Sequence, residues 1–337
     1  MKKKSFFDRL LFLLNSLFAT LLLLSYLLPY ISPKSFSLLA VISLFVPVLF
    51  IANFLFLIYW ILKLKKYLFV SALVLSIGWF TTTPFYIFSN EKERTQEDLK
   101  VMSFNVRMFN YYKWNSDKEL AQKTADFIQN KSPDILAIQE FYASPEIAFL
   151  YPYSFIKTKS KKNKFGLALF SKYPILNSGS LDFNDSANNV IYTDILKEKD
   201  TIRVYNIHLE SLKINPNKEH FGEENNQKLL GRLQTTFKKQ ALQTEQFLAH
   251  EKNWKGKKIL VGDFNNTAYS WVYRKIKSDK KDAFIEAGEG FGKTFNYSFP
   301  MRIDFILTST GFQINEFITF DEKFSDHFPI QASLHLN

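Results

Sequence analysis

Three stretches within the first 90 residues carry no charged side chain: Leu10–Leu28, Ser35–Leu62 and Tyr67–Asn90. A helix needs about 20 apolar residues to cross a hydrocarbon core of about 30 Å, and each run is long enough. Pro29 and Pro33 interrupt the chain between the first two runs, and Lys63, Lys65 and Lys66 separate the second from the third. Pro47 predicts a kink in the second run, tolerable where neighbouring helices satisfy the freed carbonyl. The expectation is a membrane anchor over residues 1–90, with three transmembrane helices at about 10–30, 35–62 and 67–89. A short mixed-charge linker (91–98) and a globular domain (99–337) follow.

Basic flanks orient the anchor. Lys2, Lys3, Lys4 and Arg9 precede the first run, whereas the loop between the first two runs holds only Lys34. Positive-inside bias puts the N-terminus and the Lys63–Lys66 loop in the cytoplasm. Three crossings then leave the globular domain outside, on the periplasmic face of an inner membrane. A cleaved signal peptide is disfavoured, because the first run exceeds the usual apolar core and no A-x-A site follows. Asn15, Asn53 and scattered Ser and Thr are the polar groups within the runs, and none ionises, so no ion pathway is indicated.

The same division explains the charge. Eight of the 43 basic and one of the 32 acidic residues lie before residue 91, so +7 of the net +11 sits there and only +4 on the rest. The basic balance therefore reports membrane flanks more than a nucleic-acid face. Lys157, Lys159, Lys161, Lys162 and Lys164 read as a solvated loop. There is no cysteine, which excludes disulfides and thiolate sites.

Six short polar islands mark the globular part: Ser103-Phe104-Asn105-Val106-Arg107, Ile138-Gln139-Glu140, Asn206-Ile207-His208-Leu209, Gly262-Asp263-Phe264-Asn265, Arg302-Ile303-Asp304-Phe305 and Ser325-Asp326-His327-Phe328-Pro329. Most follow an apolar, β-prone run, which places acids, amides and imidazoles at strand ends, where a rigid scaffold can aim them at one point. Strands are expected at 99–104, 135–138, 166–170, 201–207, 258–261, 303–307 and 330–336. Helices are expected at 118–129, with Asp117 as cap, and at 232–250. Strands outnumber helices and several neighbours are joined too tightly for helical crossovers. The fold class is therefore a mixed α/β sandwich rather than a doubly wound parallel sheet. Glu286–Gly292 is glycine-rich but lacks the lysine of a P-loop and reads as a loop.

Each island has a bland reading as a turn or strand end. Asp263 and Asn265, two apart, would project from one face and together orient a water and bond a phosphoryl oxygen. Glu140, at the mouth of a buried strand, suits a hard cation, and Asn105 could coordinate beside it. An Asp paired with one imidazole nitrogen fixes the tautomer and leaves the other nitrogen for substrate. Asp304, in an Ile/Phe run, needs such a partner, either His208 or His327. His220, His250 and His335 have no motif around them and read as structural or surface. Oxygen donors without soft ligands favour Mg²⁺ or Mn²⁺ over zinc. A divalent ion beside carboxylates and two imidazoles suits phosphate-ester hydrolysis by an activated water. Acyl-transfer chemistry is disfavoured, since no G-x-S-x-G elbow exists.

These six islands, in order and spacing, resemble the endonuclease/exonuclease/phosphatase superfamily over about 99–337. Its members include deoxyribonucleases, abasic-site endonucleases, sphingomyelinases, inositol-polyphosphate phosphatases and deadenylases. The resemblance implies a four-layered sandwich of two mainly antiparallel sheets flanked by helices. It implies Glu140 as principal metal ligand, with Asn105 and Asp326 at the metal site. It implies His208 on the phosphate-contacting or acid side, Asp263 orienting the water, Asn265 stabilising the transition state, and Asp304 paired with His327, the second catalytic histidine. Abasic-site enzymes carry a tyrosine where this chain has His208, which points away from that branch. Asp282-Ala283-Phe284 and Gly288–Thr294 resemble a bacterial membrane-anchored subgroup. The expected activity is a nuclease-like phosphodiesterase, with a lipid-headgroup phosphodiesterase or phosphatase as the alternative. A non-catalytic receptor or scaffold on this fold is disfavoured, because every acid, amide and imidazole the chemistry needs is present.

Overall fold

A computed structural model of the chain describes residues 6–89, 93, 95, 97–144, 147–160, 164–213 and 226–337. Lys2, Lys3, Lys4, Lys161, Lys162, His220 and much of the linker lie outside the described residues. The apolar part forms helices α1 (Phe6–Ser25), α2 (Ser37–Ile42), α3 (Val46–Leu62) and α4 (Leu68–Thr81). Helices α1, α3 and α4 pack on one another as a bundle. A few polar groups lie inside it among apolar side chains such as Leu22, Leu49, Phe50 and Val74. Inside, the amide of Asn15 donates to Ser71 Oγ at 2.6 Å, and the Trp60 indole donates to Asn15 Oδ1 at 2.8 Å. Outside, Leu13, Leu17, Leu24, Phe54, Leu55, Phe69 and Leu73 are exposed. The bundle thus pairs its buried polar groups with one another and leaves apolar side chains on its outside.

The runs do not all become long helices. Phe6–Tyr30 and Ser37–Leu62 form long apolar helical segments of 25 and 26 residues. The third run yields a helix of only 14 residues, about 21 Å against the roughly 30 Å of a hydrocarbon core. Thr82 turns extended, and Pro84 then disfavours helix at the residue before it. The chain continues to Ile87, which bridges to Gly290 with bonds of 2.9 and 2.8 Å. The expected kink at Pro47 is instead a 3₁₀ turn at Ser43–Phe45, with Pro47 in the first turn of α3, where its missing N–H is least costly.

The second part comprises β1 (Leu99–Asn105), α5 (Leu120–Lys131), β2 (Ile135–Tyr142), β3 (Tyr153–Thr158), β4 (Phe165–Ser171), β5 (Ile175–Ser180), β6 (Asn189–Lys197), β7 (Asp200–His208) and α6 (Asn226–Glu251). It continues with β8 (Lys257–Asp263), α7 (Trp271–Lys277), β9 (Lys281–Asp282), α8 (Ala283–Ala287), β10 (Asp304–Thr308), β11 (Phe312–Thr319) and β12 (Ile330–Leu336). One sheet runs β11-β12-β1-β2-β4-β3 and the other β5-β6-β7-β8-β10-β9. In these sheets β1–β2 and β7–β8 are parallel and the other pairs antiparallel. Asp117 does not cap α5 directly; its carboxylate accepts from Glu119 N, one turn ahead of the helix.

Strand alternation builds the layers. Leu99, Val101, Ile135, Ala137, Ile202, Val204, Ile259, Val261 and Ile306 form the apolar layer between the sheets. The residues between them face outward. Met102, Phe104, Leu136 and Ile138 pack under α5, while Tyr205, Ile207, Leu260, Phe305 and Leu307 pack under α6 and α7. The result is helix, sheet, sheet, helix.

Candidate active site

The inward rows of five strands change from apolar to polar at the same end of the sandwich. In β1 the row is Leu99, Val101, Ser103, Asn105, and in β2 it is Ile135, Ala137, Gln139. In β7 it is Ile202, Val204, Asn206, His208, in β8 Ile259, Val261, Asp263, and in β10 it begins at Asp304 before Ile306. Register aligns the ends: Asn105 sits opposite Gln139, His208 opposite Asp263, and Asp263 opposite Asp304. Gly262 makes the last step of β8 possible. Its φ is +135°, and a side chain there would drive into the Ile207 carbonyl.

Asp263 is fully buried at the centre. It accepts from Asn265 N at 2.7 Å, Asn105 Nδ2 at 3.0 Å and Asn265 Nδ2 at 3.1 Å. His208 Nε2 and His327 Nε2 stand 3.6 and 3.7 Å from its Oδ2. His327 Nδ1 lies 3.0 and 3.2 Å from the two Asp304 oxygens, so the structure pairs Asp304 with His327, not His208. Glu140 rises from a bulge in β2 with φ +50°, which swings its carboxylate into the cleft, 3.4 Å from Asn105 Nδ2 and 4.0 Å from His208 Nε2. Asp326 stands at the rim, 3.3 Å from Arg107.

Electrostatics separates the two imidazoles. Burial disfavours the charged form of both, but Asp304 and Asp263 outweigh it at His327 and push it up to about 10. His208, buried and facing the cationic His327, is lowered to about 3 and is neutral. Burial, then the like charge of Asp304, raises Asp263 to about 7. Burial and the neighbouring Asp326 raise Glu140.

All eight sequence-predicted site residues converge here. The three ligand atoms nearest one another belong to Asp263, Asp304 and His327. Asp304, however, is already neutralised by His327. The carboxylates facing open space are Glu140 and Asp326, whose side chains are 27% and 22% exposed. Two like-charged oxygen donors held together fit a hard divalent cation. Asn105 turns its amide nitrogen toward Glu140 and Asp263 and its oxygen toward Arg107 N, so ligation by that oxygen requires a turn of the amide. His208 Nε2 is buried with no hydrogen-bond partner, beside the carboxylates of Asp263 and Glu140.

Three residues beneath the site received no role from sequence. Gln139 Nε2 donates to Asn206 Oδ1 at 2.7 Å and to Ser103 Oγ at 3.1 Å, tying the sheets together under the acids. Their signal was their place inside the islands. His250 and His335 lie elsewhere, 3.2 Å from the Tyr205 hydroxyl and 3.4 Å from Asp98.

Residues 102–327 match the family model described as Endonuclease/Exonuclease/phosphatase family, about two thirds of the chain. The chain belongs to the endonuclease/exonuclease/phosphatase family. Residues 8–85 match a separate model, Domain of unknown function (DUF8431). No curated protein matches. Among solved structures, a Bacteroides vulgatus endonuclease/exonuclease/phosphatase is 19% identical with a TM-score of 0.53, over 71% of this chain and 99% of that one. The human Nocturnin catalytic domain with bound sulfate is 15% identical at TM-score 0.53, over 73% and 97%. A mannosyl-6-phosphatase from Bacteroides thetaiotaomicron is 18% identical at TM-score 0.50, over 71% and 100%. At these identities the likeness shows the family's fold, which the two six-stranded sheets and flanking helices fit.

Proposed function

We propose that this family member is a phosphoester hydrolase dependent on Mg²⁺ or Mn²⁺. The observation that carries it is the convergence of Glu140, Asp326, Asp263, Asn265, His208 and His327 on one cleft, with one imidazole neutral and the other cationic. Glu140 and Asp326, with Asn105, would hold the cation, which supplies charge neutralisation at the phosphoryl group. Asp263, poised near 7, takes a proton from the attacking water, with Asn265 and Asn105 holding its carboxylate. His208 and Asn265 bond the phosphoryl oxygens. His327, kept charged by Asp304, offers its Nε2 proton to the leaving oxygen.

The test is turnover of a small phosphodiester by the full chain with and without Mg²⁺. Glu140→Gln should cost at least about 10²-fold with the fold intact. Full turnover in excess chelator would sink the metal assignment.

We further infer that the bundle, with its exposed apolar exterior, anchors the protein in a bilayer with the sandwich outside the cytoplasm. Arg9 and the Lys63–Lys66 loop lie at the bundle end opposite the sandwich, as positive-inside bias requires. The short α4 is accommodated by local thinning or by Lys65 and Lys66 reaching the interface. Alkaline phosphatase fused after Asn337 should be active in cells. An inactive fusion, with an active cytoplasmic reporter at the same place, would reverse the topology.

A further inference from the structure

The cleft has two dissimilar walls. One is the polar cluster of Glu140, Asn265, Asp326 and His327. The other is apolar, and part of it comes from outside the sandwich: Leu44 and Phe45, in the 3₁₀ turn that leads into α3, line the cleft on the same side as Leu212, Phe299 and Met301. A ladder of rings leads outward from the chemistry. Phe295 stands edge-on to His327 at 5.1 Å, Tyr297 follows at 6.2 Å, and Phe299 at 5.0 Å beyond that. Lys213 is the basic residue on the cleft wall among the described residues, and Arg107 is engaged with Asp326. Among the described residues the cleft offers a polyanion few phosphate contacts.

The apolar wall continues into the bundle. Val41 and Leu44 pack with Leu212, Leu233, Phe237 and Met301, which seats α2 on the sandwich. Phe36, Leu38 and Ile42 on the same segment stay exposed. Pro47 lacks the N–H that would bond the Ser43 carbonyl, and Thr267 Oγ1 donates to that carbonyl instead, at 3.2 Å. Thr267 lies two residues after Asn265, so the first turn of an apolar helix is fixed to the site loop.

Resting on the phosphoester-hydrolase reading, we propose that the substrate is a phospholipid. Its phosphoryl group sits among Glu140, Asn265 and His327, and its acyl chains leave along Phe45 and the Phe295–Phe299 ladder toward the bilayer. The reaction is hydrolysis. A bond forms between water oxygen and phosphorus, and one P–O ester bond breaks. One water proton passes to Asp263, and the leaving oxygen takes the Nε2 proton of His327.

The full-length chain in detergent with Mg²⁺ would be assayed on three probes. These are bis(p-nitrophenyl) phosphate, a short single-stranded oligonucleotide, and dibutanoyl, dihexanoyl and dioctanoyl glycerophospholipids below micelle formation, carrying choline, ethanolamine or no headgroup alcohol. We expect kcat/KM to rise at least about tenfold from dibutanoyl to dioctanoyl, since each buried methylene is worth several-fold. Phe45→Gln combined with Phe299→Gln, both half-buried positions, should flatten that ratio by about tenfold. Lipid hydrolysis without chain-length dependence overturns the inference, as does a preference for the oligonucleotide. Turnover of the small diester alone also removes the inference but leaves the hydrolase reading standing. No metal-dependent turnover of any probe removes both.

Discussion

Asp304→Asn isolates the charge that sets the His327 proton. Both Asp304 oxygens lie within 3.2 Å of Nδ1, and the pair is buried. His327 sits at about 10 against an ordinary 6.5. That difference, at 1.36 kcal/mol per pH unit, is about 5 kcal/mol of preference for the cation, shared between Asp304 and Asp263. Loss of Asp304's charge should lower the His327 pKa by at least about two units, read by NMR titration of the labelled imidazole. kcat should fall at least about 10²-fold, because the imidazole loses the carboxylate that fixes its tautomer and orientation toward the leaving oxygen. The pH dependence of stability follows in sign. A histidine raised by folding stabilises the fold fully below 6.5, and this contribution is lost as pH rises through about 10. Asp263 is already ionised above 7, so in the window from pH 7 to 10 the wild type should lose up to about 4 kcal/mol. The variant should lose much less there, read as Tm against pH in detergent. An Asp304→Asn protein whose His327 still titrates near 10 would refute the pairing as the source of the charge.

Asp263→Ala and His327→Ala should each cost at least about 10²-fold in kcat, and the double variant far less than their product, because both serve one proton path; multiplicative losses would show independent roles. Mg²⁺ binding should release a proton below about pH 7, where the metal-free Asp263 is protonated, so affinity should climb with pH and level off above 7; calorimetry in buffers of different ionisation enthalpy reads the proton, and identical heats would exclude it. Thr267→Val removes the side-chain donor to the buried Ser43 carbonyl and should cost about 1 kcal/mol. Pro47→Ala restores an N–H to that carbonyl, so the same Thr267 change should cost less in that background; equal costs would mean that the hydroxyl is not answering the proline.

The site was legible because strand geometry has period two. In Leu99-Val101-Ser103-Asn105 or Ile259-Val261-Asp263, apolar residues fix which face is the core, and the polar residue two steps on must then stand at the end of that same face. Helix α6 and strands β4, β7, β8 and β12 were found for a like reason, each having enough apolar residues on one face. Strand β5 was not, since Ile175–Ser180 is rich in Ser and Gly and is held by pairing with β6. The choice of His327 over His208 for Asp304 needed coordinates or a family pattern, because residues 23 apart reveal nothing of reach. The aim of Glu140 was hidden too, since its bulge depends on β4 rather than on its own neighbours.

The apolar N-terminal part was misjudged at two places for different reasons. The end of α4 was written in Thr83-Pro84, a signal that uniform hydropathy masks. The fate of Leu44 and Phe45 was not written at all. Hydrophobicity says only that a side chain avoids water, and it does not say whether lipid or protein replaces that water. Residues 35–62 satisfy both: α3 carries Phe54 and Leu55 on an exposed apolar face, while Val41 and Leu44 are buried against the sandwich. Counting such a run as one span removes from view the residues that close the catalytic cleft. The cleft of this family member thereby takes part of its apolar wall, Leu44 and Phe45, from the segment most easily dismissed as an anchor.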